Sequence, residues 1–168
     1  MRWTVGAFAA ALVLVAVVVP QAGARTECTP GAKTVGGVPM RTFCGPAKAT
    51  VHYGSQVFTY ANGSCQKTAT FVVVNIGTEV LGTTTKPKPD YFGLDVGQVP
   101  GTSGKPAGSD GVYTGGVLAL IHGGKGHIVF GPSLKIALSG GRSHGTFSGK
   151  GFSFTGGSPK VTGTFSCS

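Results

Sequence analysis

His122 and His127 bracket a Gly-Gly-Lys-Gly stretch, the densest concentration of potential chemistry in the chain. Two imidazoles at the ends of a hairpin loop would converge on a metal ion, but a zinc-type site needs one or two further donors. His52, His144 and Asp110 suggest themselves only remotely, so the pair reads as two polar residues flanking a glycine turn, and no metal or cofactor is assigned. The segment resembles the oxyanion loop of some esterases, yet no G-x-S-x-G nucleophile elbow is read in the chain, so a hydrolase of that type is not expected. The glycines also lack the G-x-x-x-x-G-K-[ST] spacing of a phosphate loop. Asp90 and Asp95 are the other candidates, as paired carboxylates. A glycosidase needs two acids facing one cleft, and residues five apart on a strand face opposite sides. Asp90, directly after Pro89, suits a turn instead. No residue is assigned a catalytic role, and the four histidines leave a secreted enzyme of unknown type only as an alternative.

These residues must be carried by strands. The chain has 168 residues, 30 of them glycine, with no strict collagen-like period. Glycine at this density opposes helix and suits short strands joined by tight turns. Residues 1–24 read as a secretion signal: Arg2, an apolar run over residues 5–19, then Ala22-Gly23-Ala24 as a small-residue cleavage site. The run falls short of the roughly 20 residues that span a bilayer. Removing the 24 leaves a 144-residue mature chain, one domain by length, and lowers the formal charge from +9 to +8. Residues 25–46, rich in Gly and Pro and bracketed by Cys28 and Cys44, read as irregular. Residues 47–168 read as a single all-β domain, an antiparallel β-sandwich or barrel of about eight or nine short strands. Gly54-Ser55, Asn62-Gly63 and Gly140-Gly141 read as turns, and the stretch near 97–111, punctuated by Gly and Pro, as a mobile loop. Asn62-Gly63-Ser64 also matches a glycosylation sequon, but the Asn-Gly turn is the simpler use. Leu134, Ile136 and Leu138 share one parity, as do Val161, Phe165 and Cys167, and each set marks a core face. Tyr113 and Phe147 read as core or cross-strand residues.

Export places Cys28, Cys44, Cys65 and Cys167 in an oxidising compartment. Four cysteines allow three connectivities. Cys28–Cys44 would staple the N-terminal segment. Cys65–Cys167 would join two strands, since each shares parity with apolar neighbours. No C-x-x-C is present to suggest metal.

Two stretches carry a resemblance. ATVHYGSQVFTYANGSCQKTATFVVVNIG, over residues 49–77, and GRSHGTFSGKGFSFTGGSPKVTGTFSC near the C-terminus are similar to the strand, glycine-turn and closing-cysteine patterns of LpqH-type actinobacterial lipoprotein antigens. The resemblance implies a compact β fold with Cys65 paired to Cys167 and a surface-antigen or adhesin-like role rather than an enzymatic one. Arg25 occupies the place where a lipobox cysteine would stand, so a soluble secreted form is expected.

The basic excess favours anionic partners. Lys86, Lys88, Lys105, Lys125, Arg142 and Lys150 lie in predicted loops or turns and are the expected contacts with an anionic cell-envelope polymer or host surface. No basic run of five exists, so specific nucleic-acid binding is not expected. The resulting expectation is a monomeric, non-enzymatic β domain, secreted or bound to the cell surface, with no stable membrane span after cleavage. A small apolar ligand carrier is the alternative.

Overall fold

The computed structural model describes residues 28–82, 88–99, 105–153 and 158–168. The predicted signal and Lys86 lie outside the described residues. Among the described residues, thirteen strands form one curled antiparallel sheet, a half-barrel. They are β1 (Gly31–Val35), β2 (Val38–Phe43), β3 (Ala47–Tyr53), β4 (Gln56–Lys67), β5 (Phe71–Val80), β6 (Tyr91–Gly97), β7 (Gly111–Thr114), β8 (Val117–His122), β9 (Lys125–Phe130), β10 (Lys135–Ser139), β11 (His144–Lys150), β12 (Phe152–Ser153) and β13 (Lys160–Ser166). One short 3-10 turn, Gly131–Ser133, separates β9 from β10. The all-β expectation holds, with more strands than the eight or nine foreseen. The order across the sheet is β12-β9-β8-β6-β5-β4-β3-β13-β11-β10-β7, and β2 adds to β5 beside it.

Two local readings are corrected. The N-terminal segment is not irregular: β1 and β2 form a hairpin across Gly36-Gly37, and β2 pairs with β5. Both turn glycines take positive φ, which is what a two-residue hairpin connection requires. Asn62-Gly63 is not a turn between two strands either. It lies inside β4, where Asn62 takes a φ of 63°. β4 pairs with β3 up to Gly63 and with β5 from Ser64, so one long strand changes neighbours at this bend. A register shift between Ala47 and Ala49 on β3 accompanies it, as expected of a bulge at a sheet corner.

The concave side is filled by Val51, Val72, Val74, Ile76, Phe92, Leu94, Leu118, Leu120, Leu134 and Ile136, all essentially without solvent contact. Leu134, Ile136 and Leu138 face inward together as the alternation required, and Phe147 packs 5.8 Å from Phe92 across the core. Val72 and Val74 are buried whereas Val73 is only half-buried, so β5 buries one face rather than two.

Disulfides join Cys28 to Cys44 and Cys65 to Cys167. The second links residues 102 positions apart, tying the second half of β4 to the end of β13. Two such bridges fit an oxidising environment.

Candidate functional site

The sheet alternation sorts β3, β4, β10, β11 and β13 into an apolar inward face and a polar outward one. β3 turns Ala47, Ala49 and Val51 inward and Lys48, Thr50 and His52 outward. β13 buries Val161 and Phe165 and presents Lys160, Thr162, Thr164 and Ser166. β11 buries Phe147 and presents His144, Thr146, Ser148 and Lys150; β10 buries Ile136 and Leu138 and presents Lys135, Ala137 and Ser139.

The register then lines these residues up in ranks across the strands. Thr59, Thr50, Thr164 and Thr146 stand directly opposite one another on β4, β3, β13 and β11, with Ala137 of β10 completing the row. On one side runs His52, Thr162, Ser148 and Lys135; on the other Lys48, Ser166, His144 and Ser139. Lys150 and Lys160 pair directly one rank further out. A depression of about 400 Å³ opens on this face, lined among others by Lys48, Thr50, His144, Thr146, Thr164 and Ser166. These five strands contain no Asp or Glu. The charged side chains of this face are therefore all cations, and hydroxyls are dense between them.

Two glycines bring the strands that carry this face together. Gly163 stands opposite Phe147, and Gly145 opposite Phe165. A Cβ on Gly163 would meet the Phe147 ring and the Thr50 carbonyl, and one on Gly145 would meet the Phe165 ring. Each ring thus lies over a glycine on the neighbouring strand, and the outward threonines stand on that packed layer.

The six cations expected to bind anions fall into different roles. Lys150 is exposed and belongs to the face just described. Lys105 and Lys125 are exposed and Lys88 half-buried; Lys125 opens β9, and the other two lie between strands. Arg142 is engaged within the fold: its guanidinium Nη1 donates to the carbonyls of Thr68 and Ala107, at 2.5 and 3.0 Å, and so clamps two loops. Asp110 accepts the backbone N–H groups of Gly141 and Arg142 at 3.0 and 2.6 Å, and Lys67 donates to Ser143 Oγ at 2.7 Å and to the Gly141 carbonyl at 3.4 Å. Together with the Cys65–Cys167 bridge these bonds sew one end of the sheet shut. The second half of the loop expected to be mobile takes part: Ala107 is fully buried and its N–H donates to the Thr70 carbonyl. The G-x-S-x-G spacing does occur once, at Gly141-Arg142-Ser143-His144-Gly145, and was overlooked in the sequence. It forms the β10–β11 turn with no helix after it, and Ser143 Oγ is engaged by Lys67.

His122 and His127 do share a face, since β8 and β9 pair Leu120 with His127 and His122 with Lys125. His122 stacks on Phe58 at 4.3 Å and places Nδ1 3.0 Å from Asp90 Oδ2, while Asp90 Oδ1 accepts the Gly123 N–H. Asp90 thus caps the β8–β9 turn, 33 residues away in sequence, rather than a turn of its own segment. His127 packs 4.2 Å from the Tyr53 ring, its Nδ1 is buried without a hydrogen-bond partner, and burial with the nearby Lys125 charge holds its pKa below the usual histidine value. No group of three metal-ligating side chains occurs among the described residues. Asp95, on β6, is carried away from Asp90, and burial pushes its carboxyl pKa up.

Comparison with protein-family models, with curated proteins and with solved structures yields no match. The geometry alone must carry the functional reading.

The strand-borne lysines Lys48, Lys135 and Lys160 were missed in the sequence, where loop lysines drew attention. Their signal was present: Lys48-x-Thr50-x-His52, Lys135-x-Ala137-x-Ser139 and Lys160-x-Thr162-x-Thr164 each alternate polar residues against apolar ones. What the sequence lacked was the register that makes them neighbours.

Proposed function

We propose that the protein is a secreted, non-enzymatic binding domain whose outward face of β4, β3, β13, β11 and β10 holds an extended anionic polymer of the cell envelope or a host surface. The observation that carries this reading is the segregation of charge: Lys48, Lys135, Lys150 and Lys160 share one face with His52 and His144, on strands with no carboxylate. Like charges on one surface repel unless a partner neutralises them, and the field they sum to steers polyanions toward that surface. The role fits the surface-antigen character implied by the LpqH-type resemblance, and the two disulfides suit an extracellular location.

Retention on heparin resin tests it. The protein should bind at low salt and elute at moderate salt, because exposed charges are screened over about 8 Å at physiological ionic strength. Replacing Lys48, Lys135, Lys150 and Lys160 by Gln should shift elution to markedly lower salt, while the same change at Lys88, Lys105 and Lys125 should shift it little. A reversed order would move the contact to the loops, and no retention at low salt would end the reading.

A further inference from the structure

We infer that the polymer is an acidic polysaccharide, an extended pyranose chain lying across the strands along the threonine rank; this rests on the polyanion reading above. Charge alone explains the lysines but not the row between them. Thr59, Thr50, Thr164 and Thr146 place four hydroxyls in register on four adjacent strands, and neighbouring strands lie about 4.8 Å apart. An extended β-linked pyranose chain advances by a comparable step per sugar, so it meets one threonine per ring when it runs perpendicular to the strands. A hydroxyl both donates and accepts, as the hydroxyls and ring oxygens of a sugar require. A polyphosphate offers no neutral donors and acceptors, and an extended acidic peptide repeats its amides every ~3.3 Å, about two-thirds of the strand spacing, so it falls out of step with the row.

The flanking ranks supply the anion contacts. They lie two residues along each strand from the threonines, about 7 Å away. Lys48 stands in one, beside Thr50 on β3, and Lys135 in the other, on β10 beyond Thr146. Acidic substituents leaving alternate edges of a sugar ribbon would therefore find a cation on each side. The depression lined by Lys48, Thr50, His144, Thr146, Thr164 and Ser166 lies on the same row, and its size of about 400 Å³ is within the range of small-ligand sites.

Two linear polyanions separate the possibilities: β-1,4-linked polymannuronate, with one carboxylate per sugar, and poly-glutamate of matched charge. The test variant is Thr50→Val with Thr164→Val in the full mature chain. It keeps the β-branched shape and the charge of the face and removes only two hydroxyls. A thermal melt of the variant within a few degrees of the parent establishes that it folds; if it does not, Thr50→Ser with Thr164→Ser, which keeps both hydroxyls, must retain polymannuronate binding. The expected result is tighter parental binding to polymannuronate than to poly-glutamate. The valine variant should lose about tenfold or more for polymannuronate, the sum of two hydrogen bonds, with poly-glutamate binding unchanged. Equal parental affinity for both polymers, or no loss in the valine variant, overturns the polysaccharide assignment while leaving the polyanion reading intact. Absence of binding to either polymer at low salt overturns both.

Discussion

Gly163 shows how much can depend on one missing methyl group. The Thr50 carbonyl and the Phe147 ring occupy the place its Cβ would take. Gly163→Ala should destabilise the fold by about 1–3 kcal/mol, the usual cost of overpacking a filled interior, measured by urea denaturation. Arg142 offers a second test. Its φ of 63° is left-handed, and its guanidinium bridges Thr68 and Ala107. Arg142→Gly relieves the backbone and deletes the clamp, whereas Arg142→Lys keeps a charge without the planar fork. If the clamp dominates, both should unfold at lower urea. A gain in the glycine variant would mean the backbone conformation dominates. His127 adds a pH dependence. Its folded-state pKa lies below its unfolded value, so the unfolded chain takes up the proton first as pH falls. Its contribution is complete above the unfolded value of about 6.5 and declines as pH drops below it. The slope of stability against pH just below that value should diminish in His127→Gln.

At the scale of elements, much of the molecule was legible. Gly54-Ser55 joins β3 to β4 by the two-residue turn expected, with Gly54 at positive φ, and the Leu134, Ile136 and Leu138 alternation forecast the buried face of β10. Asn62-Gly63 misled because asparagine and glycine tolerate positive φ in a strand bend as readily as in a turn; sequence shows the permission, not the use. The N-terminal hairpin was hidden for a related reason. Its glycines and prolines look like loop punctuation, yet Gly36-Gly37 is itself the turn. The candidate face was half legible: each strand displays its own alternation, but Thr50, Thr146 and Thr164 become a row only through pairings between β3, β11 and β13, which are remote in sequence. Among the connections, the Cys65–Cys167 bridge closes the longest loop. Replacing both cysteines by alanine should cost about 2–5 kcal/mol, measured by denaturant titration under non-reducing conditions. Loss of Cys28–Cys44 should act more locally, as faster amide exchange in β1 and β2.

At the scale of the whole molecule, charge is unevenly placed. Glu79, Asp90 and Asp95 sit on or beside β5 and β6, and Asp110 is engaged by backbone N–H groups, whereas the face of β3, β10, β11 and β13 carries only cations. A sheet this large would ordinarily divide into two layers able to melt apart. Here β4 prevents it, because its first half is a member of one set of strands and its second half a member of the other. Neither set can lose its order without withdrawing a strand from its counterpart. Heating the protein should therefore give one calorimetric peak whose enthalpy equals the van't Hoff value, the mark of an all-or-none transition. The proposed binding face would then be fully present or fully absent, never partly assembled, at every temperature along the melt.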